Sequence, residues 1–180
     1  MKLKDSETLK NLLKTFAGES RARNKYNLYA EKARQEGFVW IGQIFDMTAS
    51  NEYAHAREAW GRYLGMIKST EDNLLDAVMG EGEETNKIYK EFEEVARKEG
   101  FEAIANFYKE LREVEESHKE RFKELYEKVK SGTVFKASCE TFWRCLNCGY
   151  IYEGKEAPEV CPLCKFPKAY FEPYGEGKKE

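Results

Sequence analysis

FEAIANFYKELREVEESHKERFKELYEKV, residues 101–129, decides the fold. Phe101, Ile104, Tyr108, Leu111, Glu115, His118, Phe122, Leu125 and Val129 recur in alternating steps of three and four, so they share one stripe of a helix. The stripe is apolar except at its middle, where Glu115 and His118 stand. A carboxylate on a core seam is costly unless something compensates it, because burial removes the water that stabilises its charge.

The same pattern occurs earlier, displaced by 63 residues. Tyr26/Tyr89, Glu31/Glu94, Ala33/Ala96, Arg34/Arg97, Glu36/Glu99, Gly37/Gly100, Phe38/Phe101, Ile41/Ile104, Glu52/Glu115 and His55/His118 are identical pairs. Each copy reads as a helix, an E-G-F turn and a second helix, with Gly37 and Gly100 suited to the C-terminal cap. Two helical hairpins result, with helices expected near 5–36, 38–66, 81–99 and 101–130. The connection Gly65–Gly80 holds Ser69-Thr70-Glu71-Asp72 and has room for a short helix. It is long enough for a crossover, or for exchange of hairpins between two chains.

The other three helices also carry stripes. The second runs Phe38, Ile41, Phe45, Thr48, Glu52, His55 and Ala59; the first Leu9, Leu12, Phe16, Glu19, Arg23, Tyr26, Ala30 and Ala33; the third Glu81, Glu84, Ile88, Phe92 and Val95. Counted from the two turns at about 1.5 Å per residue, the acidic groups within a hairpin differ in height by roughly 2–6 Å, so they can converge near mid-bundle. A single glutamate means little in a chain this rich in them, and Glu83, Glu91 and Glu116 read as solvated. The two histidines mean more: each follows a glutamate by three, on the seam, at the same repeat position. One Glu from each of two helices plus Glu-x-x-His from each of the others is the known signature of carboxylate-bridged di-metal bundles, and here it is matched rather than derived. Five carboxylates and two imidazoles are too many for one ion; Glu52 and Glu115 are the natural bridges, and the donor set suits iron or manganese.

Composition agrees. Charged residues make up 35% of the 180 and net charge is −3 with signs mixed, which favours solvated helices and offers no basic stripe for nucleic acid. No apolar stretch nears the roughly 20 residues that cross a bilayer, and Met1–Asp5 lacks the core of a signal peptide, so a soluble cytoplasmic protein is expected. All four prolines and all five cysteines follow Ser131, which places a boundary within Ser131–Thr141: residues 1–135 helical, 140–180 a separate small domain.

In that small domain, Cys145-Leu-Asn-Cys148-Gly-Tyr and Cys161-Pro-Leu-Cys164 form two C-x-x-C pairs, a specific signal for a tetrahedral four-sulfur site. Spacing alone leaves a zinc ribbon and a one-iron centre both open. Trp143, Tyr150, Tyr152, Phe166, Tyr170 and Phe171 can build a core around the metal, on which so small a module depends. Cys139 reads as a linker thiol.

The chain resembles the rubrerythrin family along nearly its whole length. The resemblance rests on Phe-Ala-Gly-Glu19-Ser, Glu52-Tyr-Ala-His55, Gly80-Glu81-Gly-Glu-Glu84 followed by Tyr89, Glu115-Glu-Ser-His118, and the Trp-Arg-Cys145-Leu-Asn-Cys148-Gly-Tyr and Cys161-Pro-Leu-Cys164 turns. It implies a mainly α protein: a ferritin-like four-helix bundle with a di-iron site, then a rubredoxin-like domain with one iron. The implied ligands are Glu19, Glu52, His55, Glu81, Glu84, Glu115 and His118 for two irons, and Cys145, Cys148, Cys161 and Cys164 for the third. Glu84 is the carboxylate peculiar to the family, exchanged for His55 at one iron on reduction; Tyr26 and Tyr89 hydrogen-bond near the site. The implied activity is reduction of hydrogen peroxide to water by an oxidoreductase fed by an external electron donor, a reductase or rubredoxin-like carrier. The implied assembly is a homodimer bringing the one-iron centre of one chain near its partner's di-iron site. A ferroxidase or iron-storage role is the alternative. Lys165 departs from the pattern, standing where rubredoxins often have glycine, which bears on sulfur hydrogen bonding and potential.

Overall fold

The computed structural model describes residues 3–175, which divide between Lys68 and Ser69 into two compact units. In the first, α1 (Glu7–Gln35) starts at Ser6, whose hydroxyl accepts the Leu9 N–H at 3.3 Å and satisfies a donor the first turn would leave free. At its end Gly37 takes φ 86°, the Gly37 N–H bonds Arg34 O, and the Phe38 N–H bonds Ala33 O at 2.8 Å. These two bonds close the helix and turn the chain into α2 (Val39–Arg57), which continues as a π-helical segment, Glu58–Tyr63.

The hairpin closes on small residues. Ala30, Ala33, Ala49, Ala56 and Ala59 are its buried positions. At Gly42 a Cβ would lie 3.1 Å from the Ala30 carbonyl, so the two backbones come too close there for a larger residue.

The second unit opens with α3 (Thr70–Glu83), capped by Ser69, whose hydroxyl accepts the Asp72 N–H at 3.1 Å. A π-helical segment, Glu84–Ile88, links it without a break to α4 (Tyr89–Lys98). Gly100, at φ 84°, repeats the turn of Gly37, and α5 (Glu102–Lys130) follows. The third helix, expected at 81–99, therefore begins eleven residues earlier, at Thr70. The Ser69 cap and the acidic first turn, Glu71 and Asp72, outweigh the helix-weakening Gly80 and Gly82.

The π-helical segment was not foreseen, although the repeat contains its trace. Glu19 precedes Tyr26 by seven residues, but Glu81 precedes Tyr89 by eight. The second copy holds one extra residue, and the widened turn absorbs it.

The stripes on α2 and α5, read from the sequence as buried, are only partly covered: Phe38, Ile41, Phe101, Ile104 and Leu125 are exposed, while Phe45, Thr48, Tyr108, Leu111, Phe122 and Val129 are half-buried. Two helices side by side bury only the strip where they touch, and alanines fill that strip.

After α5, Gly132 at φ 66° closes the helix and β1 (Lys136–Cys145) begins. It is the centre of an antiparallel sheet of order β2-β1-β3, with β2 at Ile151–Glu156 and β3 at Phe171–Pro173. Trp143, Cys145, Ala157, Cys161 and Phe171 form the core of this module, flanked by Phe135, Tyr150 and Tyr152. The Trp143 indole N–H, which burial would otherwise orphan, donates to the Gly154 carbonyl at 2.9 Å. Among the described residues no helix is long and apolar enough to cross a membrane.

Candidate metal centres

Helical spacing places Glu52 and His55 on one face of α2, and Glu19 of α1 comes opposite them. His55 Nδ1 lies 2.9 Å from Glu52 and 3.8 Å from Glu19. The second unit repeats this with α5 and α3: His118 Nδ1 lies 2.7 Å from Glu115 and 3.9 Å from Glu81. In each triad one donor atom per residue falls within 4.8 Å of the others, a spacing that one first-row ion could span.

Electrostatics within the triads favour a cation. The Glu19 carboxyl is raised above its usual range, first by its hydrogen bond with Glu52, then by desolvation and by Glu52's charge, against His55. The Glu81 carboxyl is raised by burial, then by the hydrogen bond and charge of Glu115, against His118. Without a cation, each pair of crowded carboxylates is driven to keep a proton between them.

Glu84, at the start of the π-helical segment, lies outside both triads and accepts the Tyr89 hydroxyl. Desolvation first, then the charge and hydrogen bond of Glu84, hold the Tyr89 phenol above its usual range, so it stays protonated. Tyr26, its repeat counterpart, packs against Tyr29 and Phe45, with ring centroids 6.3 and 6.1 Å away. The two histidines differ: the His55 side chain is 60% exposed and that of His118 37%, so His55 has more room to move.

The four sulfurs of Cys145, Cys148, Cys161 and Cys164 converge. Cys145–Cys164 and Cys148–Cys161 are each 3.7 Å apart, close to the ~3.8 Å edge of a tetrahedron with metal–sulfur bonds of about 2.3 Å. Two similar turns hold them. The Gly149 N–H bonds Cys145 O at 2.8 Å and the Lys165 N–H bonds Cys161 O at 3.0 Å. The Tyr150 N–H points at Cys148 sulfur and the Phe166 N–H at Cys164 sulfur.

Although the Tyr150 N–H favours its thiolate, desolvation and the three neighbouring sulfurs push the Cys148 thiol up to about 12. Desolvation opposes ionisation of Cys164, but the Asn147 side chain, the Phe166 N–H and neighbouring thiols lower it to about 6. Successive thiolates in one pocket repel, and a bound cation relieves this. Asn147 is the contributor that sequence reasoning missed; the only hint was a donor side chain inside the first C-x-x-C turn. Cys139 is exposed on β1, outside the sulfur cluster.

Two carboxylate–imidazole triads in repeated helical hairpins and a tetrathiolate knuckle pair in one chain define the class: a metalloprotein that joins an acidic helical metal domain to a four-cysteine module. Comparison agrees. The family described as "Rubrerythrin" matches residues 10–64 and 63–126, and "Rubrerythrin, rubredoxin-like domain" matches residues 143–172. The chain is 42% identical to the rubrerythrin of Nitratidesulfovibrio vulgaris, covering 96% of this chain and 97% of that one. It is 41% identical to the rubrerythrin of Porphyromonas gingivalis, covering 95% and 92%, and 40% identical to a putative rubrerythrin of Methanocaldococcus jannaschii, covering 92% of each. The chain belongs to the rubrerythrin family. It carries donors for a di-iron site among its carboxylates and histidines, and a four-cysteine site for a single iron.

Crowding in the triads gives a stability prediction. Because the folded-state pKa values of Glu19 and Glu81 lie above 4.5, the fold binds more protons than the unfolded chain between that value and the raised ones. The contribution of these groups to metal-free stability therefore falls as pH rises through the window. Glu81→Gln should remove its share of this slope and stabilise the metal-free protein at pH 7 by on the order of 1 kcal/mol while weakening metal binding. Thermal unfolding of chelator-treated protein across pH measures it; a variant less stable than wild type at pH 7 would refute the crowding argument.

Proposed function

We propose that this chain reduces hydrogen peroxide to water at the di-iron site, with electrons delivered through the four-cysteine iron. The observation that carries the reading is the presence in one chain of both acidic triads and a tetrathiolate site. Storing iron needs no dedicated centre for returning electrons, so this pairing favours turnover over the ferroxidase alternative. Assembly into a hollow cage would favour that alternative instead.

In this reading Glu19, Glu52 and His55 of the first hairpin and Glu81, Glu115 and His118 of the second would hold the irons, with Glu52 and Glu115 as the carboxylates that would be shared. When bound, the two irons supply the two electrons that cleavage of one O–O bond consumes. The protein supplies position and protons. Glu84, held by the Tyr89 hydroxyl, would be a further carboxylate ligand in reserve, and the exposed imidazole of His55 would be the ligand freest to be replaced. Tyr89 keeps its proton on Oη at neutral pH and can hold it for transfer to a departing oxygen; Tyr26 is its repeat counterpart on α1. The overall reaction is hydrogen peroxide plus two electrons and two protons giving two waters.

We further propose a functional division into a bundle, residues 1–135, and an electron-return module, residues 140–180, in a cytoplasmic homodimer fed by an external reductase or rubredoxin-like carrier. The exposed apolar residues Phe38, Ile41, Phe101, Ile104 and Leu125 on and beside α2 and α5 support association, because large apolar side chains gathered at a surface favour an interface.

An anaerobic titration tests the activity. Iron-loaded protein is reduced until its red ferric–thiolate band bleaches, and peroxide is added in sub-stoichiometric steps. The band should return with about one peroxide consumed per two electrons, and His55→Ala should slow the return at least about tenfold. A band that stays bleached, or returns at the same rate in both proteins, rules out the proposed route.

A further inference from the structure

The two cysteine turns are built alike, and each requires a positive φ at the residue after its second cysteine. In the first turn this is Gly149, at φ 77°. In the second it is Lys165, at φ 63°, the one non-glycine residue with positive φ among those described. A lysine there is strained, because its Cβ crowds the backbone, and glycine would fit without strain. Strain retained beside a metal ligand, at a position whose twin uses glycine, points to a use for the side chain.

The side chain's placement suggests what that use is. Lys165 Nζ folds back onto its own turn and donates to the Pro162 carbonyl at 2.8 Å, so the ammonium is fixed between the ligands Cys161 and Cys164 in sequence. No carboxylate among the described residues lies within ion-pair distance of it. Lys168, three residues on, is clamped by Glu156 at 2.7 Å and Glu159 at 2.6 Å, and Arg144 is paired with Glu172. The positive charges of those two are answered locally by carboxylates, while that of Lys165 is met only by the Pro162 carbonyl among the described residues.

We infer that Lys165 is a positioning residue for electron transfer: its ammonium stabilises the reduced form of the four-cysteine iron and so raises that centre's reduction potential. Four thiolates around a ferric ion carry one net negative charge; with a ferrous ion they carry two. Uptake of one electron from the external donor therefore doubles the negative charge, and a fixed neighbouring cation favours the reduced state. The inference rests on the iron reading of this site but not on peroxide chemistry.

The test is a redox titration of the iron-loaded full chain, followed on the ferric–thiolate absorbance, with no peroxide present. Lys165→Gln removes the charge and keeps the strained backbone; Lys165→Gly removes both; Lys165→Arg keeps both. At a fixed applied potential, the Gln and Gly variants should show a ferric-to-ferrous ratio roughly three- to tenfold above wild type, tenfold being about 59 mV for one electron. The Arg variant should stay within about twofold, and salt should shrink the differences. Lys165→Gly should melt no lower than wild type, separating the charge effect from damage to the turn. Gln and Gly midpoints equal to wild type overturn the inference, as does a shift in Gly alone or an equal shift in all three. Wild-type protein loaded with iron yet lacking the red band would overturn the iron assignment, and this inference with it.

Discussion

Replacing Cys161 with serine will unfold the β1–β3 module as a unit and leave the helices standing. Cys161 is fully buried, and it and Cys145 are two of the five residues that form the module's core. The hydrophobic complement is only Trp143, Ala157 and Phe171, with a few half-buried aromatics around them. Domains below about 40 residues seldom bury enough apolar surface to fold unaided. Metal binding to structural four-ligand sites contributes on the order of 10–16 kcal/mol, which exceeds anything this core can replace. A strong chelator at low pH, where thiolates are reprotonated, should act like the mutation. Loss of the near-ultraviolet dichroism of Trp143 with far-ultraviolet helical signal retained is the expected result. A variant that keeps the Trp143 signal and resists proteolysis between β1 and β3 would show that the module folds without its metal.

The second large effect is expected at the bridges. Glu115→Ala should reduce iron bound per chain at the helical site and lower peroxide turnover by more than roughly 100-fold, because loss of mere outer-shell partners already costs 10–100-fold. Glu52→Ala should match it, since Glu52 occupies the same place opposite its own histidine: 2.9 Å from His55, against 2.7 Å for Glu115 and His118. The four-cysteine iron should remain and keep its red colour, which makes it an internal control. Iron counting with the single-turnover peroxide assay decides the matter. Near-normal turnover in either variant would remove that carboxylate from the proposed bridging role.

Much of this architecture was legible in the chain. The 63-residue repeat announces two hairpins because Gly37 and Gly100 can adopt the left-handed conformation that both turns need. Glu-x-x-His puts donor pairs on one helix face, and the structure does bring Glu19 and Glu81 to them. The cysteine spacing foretold the sulfur cluster. Other features were hidden for physical reasons. The connection Gly65–Gly80 was read as having room for a short helix, and the helix that the Ser69 hydroxyl caps does not stop there but runs on through Gly80 and Gly82. Periodicity marks which face of a helix is apolar but does not say what covers it, so the stripes of α2 and α5 were read as buried although they are only half-covered and exposed at Phe38, Ile41, Phe101, Ile104 and Leu125. Lys165 was visible in the sequence as a lysine where glycine is often found, but its positive φ and its bond to Pro162 came only from the structure.

The widened turn at Glu84–Ile88 amounts to a single additional residue in one copy of the internal repeat. Deleting one residue there would restore an unbroken α-helix but rotate everything upstream by about 100°, swinging Glu81 away from His118. The tether between Glu84 and Tyr89 has no equivalent in the first hairpin, where Gly18, Glu19 and Ser20 are followed by Arg21 and Ala22. The difference between the two repeated hairpins thus originates in the length of one helix: a single added residue makes two otherwise matching acidic faces unequal.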